Sequence, residues 1–221
     1  MCYTIKINLT REEIEKRFRA ALEQPELFSP DDRINAFSLP LVPVITDRNP
    51  EQISFCAWGL IPFWVKDDET ADALRRRTFN AKAETLAEKP SFRNSFKSKH
   101  CLVLASGFYE WQTLGKEKIP YLMGLKDTIA FALAGLYDSW TNPVTGKRLN
   151  TFTVITTRAN PKLEEIHNLK KRMPVILPPE RERRWLNHDL PDQEINSFFE
   201  PYPQELMTFE KIEKRPLISG R

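Results

Sequence analysis

The chain has 221 residues, enough to bury a sizeable core in one domain, with 41% hydrophobic and 29% charged residues. That balance excludes a disordered or fibrous chain, and no apolar run approaches the roughly 18 residues needed to span a bilayer. A net charge of +3 permits a local phosphate-binding patch but is low for a simple DNA-binding module.

The first residues alternate Tyr3, Ile5 and Ile7 against Thr4, Lys6 and Asn8, which predicts a strand with one wet face. Thr10 and Glu13 form a capping box, and Ile14, Phe18, Ala21 and Leu22 follow as an amphipathic stripe, so a helix is expected up to Pro25. Five prolines between 25 and 50 predict an irregular, partly extended segment. Residues 53–64, ISFCAWGLIPFW, read as a buried strand running into an aromatic loop, and 67–77 as a short helix or mobile segment. AKAETLAEK at 81–89 has helical composition and is stopped by Pro90.

Strands are expected at 101–106, 108–112, 120–125, 129–138, 149–157 and 172–177, with a closing strand at 206–212. Helices are expected at 160–166, at 178–187, where a proline stands in the first turn, and at 193–200. Consecutive strands favour an antiparallel sheet, so the predicted fold class is α+β: a single domain over 1–221 with a mainly antiparallel curved sheet or barrel core and peripheral helices.

Three widely spaced cysteines (Cys2, Cys56, Cys101) without a C-x-x-C pair fit a reducing, cytoplasmic setting, with Cys56 and Cys101 in apolar strand contexts as core residues. The first 25 residues carry charges throughout and no apolar h-region, so no secretory signal is expected. His100, His167 and His188 lie far apart, and no metal and no other cofactor is expected.

Four stretches carry unusual residues together. Cys2 follows the initiator methionine; from its position alone it is an ordinary terminal residue, but removal of Met1 would expose a 1,2-aminothiol. Its α-amine, with a reference pKa of roughly 7.7–8.0, is partly neutral at pH 7. Such a pair can condense with an aldehyde and close to a thiazolidine, or act as an N-terminal nucleophile. Asn80 in TFNAKAE either caps a helix starting near Ala81 or serves a site. Glu110 in SGFYEW stands among aromatics, where it is either exposed or buried with a raised pKa. His167 in IHNLKKRMPVIL either ends a helix, favoured by the dipole, or shuttles protons.

The terminal MC, WGLIPFW at 58–64, FNAKAE at 79–84, CLVLASGFYEW at 101–111, TFTVITTRAN at 151–160 and the IH and RMPVIL segments of 166–177 together resemble the SRAP (SOS response-associated peptidase) family of abasic-site processing proteins, over nearly the whole chain. The resemblance implies binding of single-stranded DNA at abasic sites and a thiazolidine crosslink between Cys2 and the ring-opened sugar. The crosslink would protect the lesion during the DNA damage response and be reversible, with lyase-like nicking as a side path. It assigns Cys2 as nucleophile, Asn80 to orient the amine or sugar, Glu110 to move protons, and His167 to hold or protonate the deoxyribose oxygen. From Trp58, Pro62 and Trp64 at least one side chain is expected to stack on or wedge beside a neighbouring base, with core packing the other reading for each aromatic and Trp58 favoured over Trp64 as the buried one; Lys82 and Arg172 are expected to meet phosphates. Phe63 in the same loop is a further candidate for stacking.

The chain departs from the family pattern at Tyr3 and Thr4, in having Lys82 where an arginine is usual, and in residues 168–171 between His167 and Arg172, which offer Lys170 or Lys171 as replacement phosphate contacts. The expected partner is single-stranded DNA containing an abasic site, met by a monomer in the cytoplasm and on the nucleoid, with no membrane. The competing reading is an N-terminal-nucleophile cysteine peptidase acting mainly on its own Met1. No Cys/His/Asn protease layout supports a general peptidase.

Overall fold

The computed structural model describes residues 2–187 and 189–213; Met1, whose removal the aminothiol chemistry requires, and His188 lie outside them. The chain begins with β1 (Thr4–Ile7) and α1 (Arg11–Phe18). The capping box forms as spelled: Glu13 N donates to Thr10 Oγ1 at 3.2 Å, and Thr10 N donates to Glu13 Oε2 at 2.7 Å. The helix stops at Phe18 rather than at Pro25, because Arg19 turns left-handed (φ 50°) and Ala21 and Leu22 leave as a two-residue strand, β2 (Ala21–Leu22). Glu15 holds that exit by accepting from Leu22 N at 2.8 Å.

The proline-rich segment contains two strands, β3 (Asp31–Asn35) and β4 (Leu41–Thr46), followed by β5 (Asn49–Trp58). Next come α2 (Asp68–Arg75), capped by Asp67, and β6 (Asn80–Lys82). The helix expected over 81–89 is absent. Asn80, Ala81 and Lys82 pair with a neighbouring strand, and hydrogen-bonded turns follow. Tertiary pairing overrides helical composition here.

A helix not expected from the sequence, α3 (Arg93–Ser98), comes next. The remaining elements follow the expected order, with the strand expected at 172–177 split in two: β7 (His100–Ala105), β8 (Gly107–Leu114), β9 (Glu117–Leu125), β10 (Phe131–Thr141), β11 (Arg148–Arg158), α4 (Pro161–Ile166), β12 (Arg172–Pro174), β13 (Ile176–Leu177), α5 (Pro179–Trp185), α6 (Asp192–Ser197) and β14 (Met207–Lys211).

Two sheets organise these strands. One runs β14-β9-β8-β1-β3, antiparallel throughout. In the other, β11, β10, β7, β4 and β5 are neighbours in turn, and β5 pairs back onto β11 in parallel at Ala57–Thr151 and Trp58–Phe152. That last pairing closes a five-stranded barrel and leaves its strands without free edges. The class is therefore α+β, mainly antiparallel, with a barrel core. All six residues of β7 are buried, as expected of a strand covered on both faces. Gly135 of β10 admits no side chain: a Cβ there would meet Cys101 Sγ and Val103 Cγ2 at 2.8 Å. Cys56 and Cys101 are core residues, and His100 is buried with its ring stacked on Trp185 at 4.3 Å.

Among the described residues no helix is long and apolar enough to cross a membrane, and no three His, Cys, Asp or Glu side chains could together hold a metal ion.

Candidate functional site

The register of the first sheet brings the terminus to the chemistry. Thr4 lies opposite Tyr109 and Ile5 opposite Phe108, so tracing the antiparallel pair backwards from Thr4 carries Cys2 past Glu110. Cys2 is fully buried, with Sγ 3.9 Å from the Thr4 carbonyl. Burial, reinforced by the Glu110 carboxylate, holds its thiol far above the usual range, so the sulfur is protonated at neutral pH.

Asn80 comes from the second sheet. β6 lies parallel to β11, with Asn80 beside Val154, and Asn80 Nδ2 donates to the Cys2 carbonyl at 2.9 Å. Its Oδ1 is buried and has no hydrogen-bond partner among the described residues. Asn80 does not cap a helix; it is a strand residue whose side chain spans the two sheets.

Glu110 is 2% exposed, and burial lifts its carboxyl to about 7. His167 ends α4, which starts on a cap in which Leu163 N donates to Asn160 Oδ1 at 2.9 Å, and the His167 backbone N closes the last turn by donating to Leu163 O at 2.7 Å. A helix-end dipole would raise the histidine. Burial dominates instead and lowers it to about 4, so the imidazole is neutral at pH 7. Its Nδ1 meets Arg172 twice, 2.8 Å from the backbone carbonyl, which can only accept, and 3.3 Å from the backbone N, which can only donate; the shorter contact favours the proton on Nδ1 and the lone pair on Nε2. Nε2 faces Glu110 Oε2 at 3.7 Å. With the ring neutral, this is a polar contact between an acceptor and a carboxyl that is half protonated near pH 7, not an ion pair.

Glu110 and His167 form the buried part of a pocket of about 350 Å3. Its outer wall is made by Tyr3, Trp111, Thr113, Lys118, Leu169 and Lys170. The residues that intervene before Arg172 are anchored there, because Asn168 exchanges two hydrogen bonds with the Thr113 backbone, at 2.8 and 3.1 Å. A larger groove of about 590 Å3 runs between β1, β9 and β14 and contains none of Cys2, Asn80, Glu110 or His167.

The aromatic loop after β5 divides sharply. Trp58 is fully buried, stacked on Phe152 at 5.6 Å, with Nε1 donating to the Phe79 carbonyl at 3.0 Å. Pro62 is buried as well. Neither presents a face to a base, which corrects the base contact expected at either: Trp58, as its core reading has it, completes the barrel seam, and Pro62 the turn above it. Phe63 and Trp64 are 55% and 41% exposed. Their backbone is fixed from the β10–β11 hairpin by Phe63 N donating to Asp138 Oδ2 at 3.0 Å and Trp140 Nε1 donating to Val65 O at 2.8 Å. Gly59 makes the turn into this loop with φ 101°, and a Cβ would meet Arg75 O at 2.4 Å.

Lys82 is exposed, open to a phosphate, whereas Arg172 is not. Its side chain is 13% exposed and its guanidinium is engaged by both carboxylate oxygens of Glu84. In this structure Glu84 occupies the position at which Arg172 is expected to meet a phosphate.

Reading the sequence also missed Phe37. It is 59% exposed, on a turn after β3, and packs against Tyr3 (5.0 Å) and Phe79 (5.3 Å) beside Cys2 and Asn80. Its place in a proline-rich stretch carries no periodicity that could have marked it.

Comparison with known proteins agrees with this geometry. The family model described as SOS response associated peptidase (SRAP) matches residues 1–215. The abasic site processing protein YoqW of Bacillus subtilis is 43% identical over 169 residues, which cover 76% of this chain and 72% of that one. The abasic site processing protein HMCES of Xenopus tropicalis is 34% identical over 160 residues, 64% of this chain and 47% of that one. A crystal structure of a protein from Bacteroides thetaiotaomicron superposes with a TM-score of 0.92 at 36% identity, covering 96% of this chain and 92% of that chain. With a family model spanning nearly its whole length, the chain belongs to the SRAP family.

Proposed function

We propose that the chain processes abasic sites in single-stranded DNA, acting as a monomer, by forming a thiazolidine between Cys2 and the ring-opened deoxyribose once Met1 has been removed. The observation that carries this reading is the convergence of Asn80, Glu110 and His167, from three separate segments, on the second residue of the chain. The printed names of the relatives, abasic site processing proteins, support the substrate class.

The chemistry balances with this chain's own groups. The neutral α-amine of Cys2 attacks the aldehyde carbon to give a carbinolamine, with Asn80 Oδ1 offering the amine an acceptor. Glu110, protonated up to about pH 7, gives its proton to the departing hydroxyl, and water leaves. The thiol then adds to the imine carbon, and its proton returns to the Glu110 carboxylate. The net change is aldehyde plus aminothiol to thiazolidine plus water. His167, neutral with its lone pair on Nε2, accepts a hydrogen bond from the sugar hydroxyl rather than donating one. Reversal runs the same steps backwards, and strand nicking would be a side path from the imine.

A single-stranded substrate avoids the unpairing cost of extracting a nucleotide from a duplex. Phe63, Trp64 and Phe37 offer aromatic faces for neighbouring bases, and Lys82 a charge for the backbone. The peptidase reading is weaker, since a cysteine protease needs a depressed thiol and burial pushes this one up.

The test is incubation with an oligonucleotide carrying one abasic site, followed by a denaturing gel. A Cys2-dependent, heat-resistant shifted band supports the reading; Cys2→Ala retaining the band overturns it.

A further inference from the structure

The ion pair between Glu84 and Arg172 joins the two segments that deliver Asn80 and His167. Arg172 Nη1 donates to Glu84 Oε1 and Nη2 to Oε2, the latter at 2.9 Å, and Nη2 also donates to the Thr156 carbonyl. The same carbonyl accepts from Ala83 N at 2.9 Å, one residue past β6. The Arg172 backbone carbonyl is in turn the acceptor for His167 Nδ1. One side of the clamp is therefore continuous with Asn80 and the other ends on the atom that decides which imidazole nitrogen carries the proton.

Two features mark this as a built clamp. It is bidentate, the geometry that restricts a guanidinium most strongly. The Arg172 side chain is 13% exposed although that of Glu84 is 52% exposed, so the arginine is sunk into the site and the carboxylate lies over it from outside. Both terminal nitrogens are engaged by the carboxylate and the carbonyl, and Nε is buried with no hydrogen-bond partner among the described residues.

We infer that Glu84 is a positioning residue for the capture reaction, acting through Arg172 to hold His167 in the Nδ1–H tautomer and at its distance from Glu110. The inference rests on the proposed function of this site. The contrasting role is that Glu84 occupies a phosphate site and is displaced when DNA arrives.

The experiment uses the full chain with Met1 removed and compares Glu84→Ala, Glu84→Gln, Arg172→Ala and the double variant, each checked by a thermal melt. Three quantities are measured: the single-turnover crosslinking rate at saturating abasic-site strand, the affinity for a strand carrying a tetrahydrofuran site (which has no aldehyde), and the 15N-detected Nδ1–H signal of His167. Glu84→Ala should slow the saturated rate by roughly 10- to 100-fold. Its affinity should stay within about twofold, and the Nδ1–H signal should be lost or exchange-broadened. Glu84→Gln, which keeps one acceptor and the shape, should recover part of the rate and covers the case in which the alanine variant does not fold. The double variant should be no slower than the worse single one.

An unchanged rate with tighter binding in Glu84→Ala would overturn the inference in favour of a displaced placeholder. So would a loss of affinity in Arg172→Ala with a salt slope smaller by about one, the signature of a lost phosphate contact. Failure of the unsubstituted chain to form a Cys2-dependent adduct would refute the proposed function instead. The His167 signal, which needs no reaction, still decides whether Glu84 sets the proton: an Nδ1–H unaffected by Glu84→Ala overturns the positioning role.

Discussion

His167 Nε2 faces Glu110 Oε2 at 3.7 Å, and the two groups are shifted in opposite directions by the same burial, the histidine down to about 4 and the carboxyl up to about 7. A proton shared between them therefore resides on the carboxyl, not on the imidazole, and leaves it as pH rises through about 7. Two titratable groups whose environments drive them apart mark an acid and an acceptor.

The first prediction concerns rate against pH. Capture needs a neutral amine and a protonated Glu110, so the crosslinking rate should rise with deprotonation of the amine and fall as pH passes about 7 and the carboxyl ionises. Glu110→Gln should lose the falling limb and slow capture by roughly 10²- to 10⁴-fold, read in single-turnover time courses. A falling limb that survives in Glu110→Gln would assign it to another group.

Stability against pH carries the same signature with the sign worked out. The folded carboxyl of Glu110 sits above its ordinary 4.5, so its protonated form stabilises below that value and the contribution is lost as pH rises through about 7. His167 sits below its ordinary 6.5, so its contribution is present above 6.5 and lost as pH falls towards about 4. Glu110→Gln should therefore raise stability at pH 8, by on the order of 1–3 kcal/mol, and change it little at pH 5. Equal effects at both pH values in denaturant melts would contradict the burial of a titrating carboxyl.

The aromatic loop separates binding from folding. Trp64→Ala should weaken single-stranded DNA binding by about 1–3 kcal/mol while moving the melting transition little. Trp58→Ala empties the barrel seam and should cost about 3–5 kcal/mol of stability. Anisotropy titrations and thermal melts on both variants decide it, and a Trp58→Ala protein that melts normally would refute the core assignment.

Lys82 is the exposed cation nearest in sequence to Asn80, and its contribution should be electrostatic. Lys82→Ala should weaken binding uniformly across sequences and reduce the slope of log K against log salt by about 1. A slope identical to that of the parent would remove Lys82 from the backbone contacts.

What could be read from sequence was what local chemistry decides. The Thr10–Glu13 capping box, the short helix over 160–166 and the apolar run of β7 all formed where their residues said they would. The misses have one cause, pairing between distant segments. Ala21 and Leu22 continue the helical stripe but pair with Gln52 and Ile53; Pro43 sits within β4 opposite Phe55; Ala81 has helical neighbours but pairs with Ile155. At the site, Cys2, Asn80, Glu110 and His167 were marked by their company, and the structure brings them together. The clamp between Glu84 and Arg172 spans 88 positions and has no local signal in the sequence. Of the two tryptophans in one loop sequence, Trp58 is the one the sequence favours as buried, and the barrel closure at Trp58–Phe152 gives the reason.

The central claim is the bond formed at Cys2, and the most direct measurement is the mass of the adduct and of its N-terminal peptide. The account predicts a species equal to the chain without Met1 plus the abasic-site strand less one water, with the DNA remnant on the peptide that begins at Cys2 and resistant to borohydride because the ring has closed. An adduct located on a lysine, or one that borohydride must trap before it survives, would contradict it.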